Sequence, residues 1–247
     1  MQASGFRQFW HDLCLWWREQ AREHGAADAG FLLLRNLWGF VRDSTPERRR
    51  ARYGDMEYDW THRVNTTSGT VGWRLRLLGL FHSPYQPTEP ALFREMMMSL
   101  PIAFDTFTFV DLGSGKGRTL LMASEYPFRR IVGVELLREL HLVAQENLTH
   151  YKNTAPKCVV IEAICGNAAD FLLPVEPLVL YLFNPLPESE LKRVMINLER
   201  SLSEHSRAAY VLYHNPLLER VVNASKMLTR IGGTPQYSLY AFDGNGS

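Results

Sequence analysis

Between Val110 and Arg118 the chain reads Val-Asp-Leu-Gly-Ser-Gly-Lys-Gly-Arg, an acid followed by three alternating glycines, Gly113, Gly115 and Gly117. Glycines in this pattern let a backbone turn sharply and a ligand approach closely, because no Cβ restricts φ or blocks contact. A helix starting just beyond them adds unpaired N–H groups and a partial positive charge. Three nucleotide-loop chemistries use such a run, and spacing separates them. A phosphate-cradling loop needs a glycine, four residues and then Gly-Lys-Ser/Thr; here Lys116 is followed by Gly117, and Val110 stands at the earlier glycine's place. A dinucleotide fingerprint needs its third glycine where Arg118 stands. What remains is Asp-x-Gly-x-Gly-x-Gly, in which the Asp111 carboxylate ends a strand and is placed to hold a cationic amino group.

A second acid supports this. The apolar run Ile131 to Val134 ends in Glu135, about 20 residues beyond the first glycine, the distance at which a carboxylate accepts hydrogen bonds from ribose hydroxyls in a βαβ unit. S-adenosylmethionine carries both groups, a ribose diol and an amino group. The alternative is a bare glycine turn with two surface acids.

These residues need strands and helices to hold them. Phe107 to Leu112 reads as a strand and Arg118 to Tyr126 as a helix. Leu136, Leu140, Val143, Ala144 and Leu148 recur at helical spacing, and Cys158 to Ile164 is rich in β-formers. Leu178 to Phe183 is a continuous apolar run, as a parallel strand buried on both faces requires. Glu188 to Glu204 reads as an amphipathic helix, Arg207 to His214 as the fifth strand, Asn215-Pro216 as the start of a helix to about Thr229, and Tyr237 to Phe242 as a single closing strand. Strands alternating with helices predict a doubly wound α/β sheet.

The run Val-Asp-Leu-Gly-Ser-Gly-Lys-Gly-Arg, then Val-Gly-Val-Glu ending at Glu135, then Leu-Phe-Asn-Pro ending at Pro185, resembles the class I S-adenosylmethionine-dependent methyltransferases. With Tyr85-Gln86-Pro87-Thr88 upstream, Asp-Leu-Gly-Ser-Gly is similar to the non-SET histone-lysine methyltransferase branch and its bacterial relatives, over roughly residues 80 to 242. The resemblance implies a Rossmann-like cofactor domain over 84–247, behind an α-helical N-terminal extension over 1–83. It implies cofactor contacts from Tyr85 and Thr88 at the methionine end, from Asp111, Leu112, Gly113, Ser114, Gly115, Gly117 and Arg118 along the loop, and from Glu135 and Leu136 at the ribose. Asn167 and Ala168 fall at the adenine edge, with Asp170 as alternate. Asn184 and Pro185 fall where the acceptor meets the methyl group. In amine and amide methyltransferases the related motif continues with a second proline and an aromatic, for which this chain has Leu186 and Pro187. His214, at a strand end nearby, reads as a base or as a hydrogen-bonded structural histidine. The implied activity is N-methylation of an amine, a protein lysine ahead of a small amine. The alternatives are a small-molecule O-methyltransferase, an RNA methyltransferase and a non-catalytic S-adenosylmethionine-binding scaffold.

The 247 residues, 46% hydrophobic and 21% charged, suit one α/β domain with an extension. A net charge of +1 supplies no global field for phosphate backbones and argues against a nucleic-acid partner. The eight histidines show no ligand spacing, so no metal is expected. Cys14, Cys158 and Cys165 lack metal spacing and read as buried thiols in a reducing compartment. No apolar run is long enough to span a bilayer or form a signal core, and a cytoplasmic protein is expected.

All six tryptophans precede residue 74. Trp10 and Trp17 share a helical stripe with Phe6 and Leu13, and Trp38 shares another with Phe31 and Leu34. This surface reads as interdomain packing, or else as an acceptor pocket or homodimer interface. Arg48, Arg49, Arg50 and Arg52 read as a solvated helix face or as a docking patch for an acidic partner. Residues 53 to 83 read as a polar loop and candidate lid, returning to helix around Trp73.

Overall fold

In this computed structural model the described residues are 56–67, 86–151, 156–183 and 186–242, with scattered positions between 14 and 31. The tryptophans other than Trp17 and Trp60, the Arg48 to Arg52 cluster, the helix around Trp73, Tyr85, Asn184 and Pro185 lie outside them.

The chain forms two compact units, residues 1–56 with 67–86, and residues 57–66 with 87–247. In the first, Cys14, Trp17 and residues 26–28 are helical. The second takes in a stretch, 57–66, that the sequence placed in the extension.

The second unit is a seven-stranded sheet. Among the described elements, α1 (Met56–His62) and α2 (Pro90–Met98) precede β1 (Thr108–Leu112) and α3 (Arg118–Ala123). Then follow β2 (Arg130–Glu135), α4 (Arg138–His150), β3 (Ile161–Cys165), β4 (Leu178–Phe183) and α5 (Glu188–Glu204). The chain closes with β5 (Ala209–His214), α6 (Glu219–Asn223), β6 (Thr229–Thr234) and β7 (Tyr237–Phe242). The strand order is β3-β2-β1-β4-β5-β7-β6. β7 is antiparallel to both its neighbours, and the first five strands are parallel. This is the expected Rossmann-like doubly wound architecture. The chain leaves β1 toward β3 on one side and returns to β4 on the other, so a crevice opens at the carboxyl ends of β1 and β4, where such sheets bind ligands.

Continuous apolar strands make this possible, because the inner strands β1, β2, β4 and β5 have buried side chains on both faces. Val110, Leu112, Val134 and Leu180 pack with Leu191, Val194 and Leu198 of α5 on one face. Phe109, Ile131, Val179 and Tyr181 pack with Phe93, Met96 and Met97 of α2 and Leu120 of α3 on the other.

Four expectations differ from the structure. The sheet closes with two strands, because the helix after β5 stops at Asn223 and Thr229–Thr234 pairs with β7. Gly232 and Gly233 in that strand hide its β character. Residues 56–62 are an α-helix where a polar loop was expected. The helix expected over Arg118 to Tyr126 stops at Ala123. Cys14 and Cys165 are exposed, and Cys158 alone is buried, because Cys165 lies on the edge strand β3. Among the described residues no helix is long and apolar enough to cross a membrane.

Candidate functional site

The glycine loop joins β1 to α3. Gly113, Gly115 and Gly117 have φ of 94°, 54° and 80°, left-handed values that a side chain would strain. Gly113 and Ser114 both donate to the Val134 carbonyl, which ties the loop to the end of β2. The Ser114 side chain fits there because position 133 is glycine; a Cβ at Gly133 would come within 2.7 Å of Ser114 Oγ.

The two acids flank this loop. Asp111 is buried on the α2 face of the sheet; its Oδ2 accepts a hydrogen bond from the Thr119 hydroxyl, and its Oδ1 is buried with no partner among the described residues. Burial pushes this carboxyl up to about 7, against the lowering effect of Thr119 and with a further push from Glu135. Glu135 is satisfied differently. Its Oε2 accepts from the Gly115 N–H and its Oε1 from the Leu137 N–H, both at 2.8 Å. Burial still raises its carboxyl, the backbone donors opposing. Each oxygen keeps a second lone pair for another donor. Leu136 beside it is half exposed, and Leu112 is buried at the end of β1.

At the end of β3, Asn167 Oδ1 accepts from the Ala169 N–H at 2.8 Å and caps the short 3₁₀ turn Ala168–Asp170, so its amide nitrogen is the end left for a ligand. Ala168 is buried in the core, and Asp170 turns outward to Arg193. Asn184 and Pro185 lie outside the described residues, just beyond β4.

Arg118 points away from the loop's open side. Its guanidinium Nε donates to Thr66 Oγ1 at 2.6 Å, its Nη2 lies 3.3 Å from Asp59 Oδ1, and its carbon sits 4.8 Å over the Tyr58 ring. Lys116 Nζ donates to Asn65 Oδ1 at 3.2 Å, and burial lowers this amine to about 8. Asn147 of α4 completes the lock, donating to the carbonyls of Asn65 and Lys116 and accepting from the Asn65 N–H. Residues 57–66 are therefore the structural backing of the glycine loop. Sequence reading missed Asp59, Asn65, Thr66 and Asn147 because their partners are up to 82 residues away. The signal available was two cations inside a glycine loop, which demand acceptors from elsewhere.

Next to Asp111 across the β1–β4 pairing stands Tyr181. Its hydroxyl lies 2.8 Å from Thr88 Oγ1 and 2.8 Å from His214 Nδ1. The His214 ring stacks on Phe183, centroids 3.8 Å apart and 20° between planes. Burial pushes His214 down to about 4. Thr88 and His214 were both legible as candidates, whereas Tyr181 was hidden in an apolar run. A buried phenol usually finds a partner, and that was the available signal. Among the described residues no group of three His, Cys, Asp or Glu is placed to hold a metal ion.

No protein-family model matches the chain, and no curated protein does. Solved structures do. A crystal structure from Listeria monocytogenes, described as a predicted N6-adenine-specific DNA methylase, is 16% identical with a TM-score of 0.48, over 63% of this chain and 51% of that one. The chain thus spans about half the length of the Listeria protein. An RNA methyltransferase from Salinibacter ruber, in complex with S-adenosyl-L-homocysteine, is 20% identical with a TM-score of 0.41, over 63% of this chain and 92% of that one. A precorrin 8W decarboxylase from Methanobacterium thermoautotrophicum is 15% identical with a TM-score of 0.44, over 64% and 91%. At such identities and scores, the residues of the site rather than these likenesses carry the functional reading.

Proposed function

We propose that the chain is an enzyme that binds S-adenosylmethionine and methylates a nitrogen acceptor. The observation that carries this reading is the buried Asp111 Oδ1 at the crevice of the sheet, unpaired among the described residues. A carboxylate oxygen without a partner destabilises a core. An incoming ammonium group would satisfy it, ionise Asp111 and offset that cost.

The other residues fit the same ligand. Glu135 has a lone pair on each oxygen for the two ribose hydroxyls, and the left-handed glycines keep side chains out of the space between the acids. Asn167 has its amide nitrogen for the adenine edge. Tyr85, Thr88, Leu112, Ser114, Leu136 and Ala168 belong to the same proposed set, with Arg118 contributing through its backbone at the start of α3.

When bound, S-adenosylmethionine supplies a methyl group already activated on sulfur. The protein's own work is alignment of the acceptor and exclusion of water. Asn184 and Pro185 follow β4 in the sequence, and His214 closes the neighbouring strand. A neutral amine needs no strong base, and the buried His214 is a weak one. The preferred acceptor is a protein lysine, then a small amine.

Isothermal calorimetry with S-adenosylhomocysteine tests the cofactor. Asp111→Ala removes a charge-assisted hydrogen bond of about 1.5–3 kcal/mol and weakens binding about 10- to 100-fold. Glu135→Ala also weakens it, and unchanged binding in both variants would remove the assignment. Incubation with radiolabelled cofactor and fractionated lysate then reads the acceptor. Label in protein supports the preferred reading, label in nucleic acid or small molecules replaces it, and binding without label anywhere indicates a scaffold.

A further inference from the structure

Tyr181 is a polar side chain in the centre of an apolar strand, fully buried, with its ring edge-on to Phe93 at 6.1 Å and tilted against Phe109 at 6.0 Å. Aromatic packing alone would be served by phenylalanine. The hydroxyl instead joins Thr88, in the segment before α2, to His214, at the end of β5.

Three hydrogens have to be placed along this chain: one on Thr88, one on Tyr181 and one on the neutral imidazole. Two directions are self-consistent. In the first, Thr88 donates to Tyr181, Tyr181 donates to Nδ1, and the imidazole carries its hydrogen on Nε2. In the second, Nδ1–H donates to Tyr181, Tyr181 donates to Thr88, and the Thr88 hydrogen must find another acceptor. Thr88 is 2% exposed, and its Oγ1 has no further partner among the described residues. The second direction therefore buries an unpaired O–H, which the first avoids. A phenol is also more acidic than an aliphatic hydroxyl and is the stronger donor to an imidazole nitrogen. Phe183 then fixes the plane of the ring.

We infer that Tyr181 is a positioning residue which, backed by Thr88, holds His214 in the tautomer with hydrogen on Nε2, so that the ring offers no lone pair on Nε2. His214 is then a hydrogen-bond donor, not a base. This rests on the methyl-transfer reading and narrows it: the site suits a nitrogen whose lone pair attacks without prior loss of a proton, and disfavours hydroxyl acceptors, which would need a lone pair on Nε2. The burial that keeps His214 neutral agrees with this.

Nitrogen-15 NMR of protein labelled at its histidine ring nitrogens reads the tautomer directly, without cofactor or acceptor. In the unaltered protein, His214 is expected to show one tautomer, protonated on Nε2, with Nδ1 at the shift of a hydrogen-bond acceptor. Tyr181→Phe keeps the ring packing and should move Nδ1 to the shift of an unbonded nitrogen. Thr88→Val should leave Nε2 protonated, because Tyr181 still donates to Nδ1. A hydrogen on Nδ1 in the unaltered protein, a tautomer switch in Thr88→Val, or an unmoved Nδ1 in Tyr181→Phe would each overturn the inference. Failure of the cofactor reading shows separately, as loss of S-adenosylhomocysteine binding in calorimetry.

Discussion

At the scale of the residue, Asp111 sets function against stability. Its folded carboxyl is raised to about 7, above the unfolded value, by burial. The unfolded chain therefore releases this proton first as pH rises. Stability associated with Asp111 is full below about pH 4, falls as pH climbs toward 7 and is flat above. Asp111→Asn removes the buried charge, so its melting temperature should exceed that of the parent protein above pH 7, by the equivalent of about 2–4 kcal/mol. The same substitution should weaken S-adenosylhomocysteine binding. The parent's affinity should rise with pH up to about 7 as Asp111 ionises, and in Asp111→Asn that rise should vanish; calorimetry across pH 5 to 8 checks both. Asp111 and Glu135 were legible because their spacing from the glycines is local. Tyr181 was not, because its role depends on Thr88 and His214, which only the packing of the α2 segment and the β4–β5 pairing bring to it.

At the scale of the element, the start of α3 is held by the segment from α1 to Thr66. Arg118 is nearly inaccessible at 2% exposure, and Asp59 is its ion partner. Removing the carboxylate of a buried ion pair weakens the hold on its cation, at a cost of up to about 3–5 kcal/mol. Asp59→Ala should lower the melting temperature by roughly 6–20 °C, at about 2–4 °C per kcal/mol for a chain of this size. A loss within that of an exposed pair, below about 1 kcal/mol, would show the contact to be superficial. In the β6–β7 hairpin, Gly233 has φ of 122°, and a Cβ there would lie 2.3 Å from the Tyr237 carbonyl oxygen. Gly233→Ala should therefore destabilise by about 1–3 kcal/mol and unpair the edge strand, measured by denaturant melts and amide exchange at β6. Strands and helices with strong periodicity were legible in outline; Leu178–Phe183, Glu188–Glu204 and Tyr237–Phe242 match the sequence reading end to end. β6 was not legible, since two glycines carry no β preference and an exposed edge leaves no apolar pattern to read.

At the scale of the whole molecule, the boundary of the second unit falls before the first strand, at residue 57. Both core clusters draw on the second unit, and that unit includes residues 57–66. A chain beginning at residue 56 should fold and bind S-adenosylhomocysteine. One beginning at residue 84 should lose the acceptors for Lys116 and Arg118 and melt at lower temperature or aggregate. Equal stability of the two would make the 57–66 segment dispensable. By itself the sequence determined the fold class, the glycine loop and the two acids, because these depend on apolar periodicity and on spacings within one βαβ unit. Only the tertiary structure decided that Asp111 is left with an oxygen unpaired among the described residues, that Arg118 serves the backing segment, and that Thr88, Tyr181 and His214 form one chain. Burial and partners between residues far apart in sequence exist only once the strands are in register, and no local pattern encodes them.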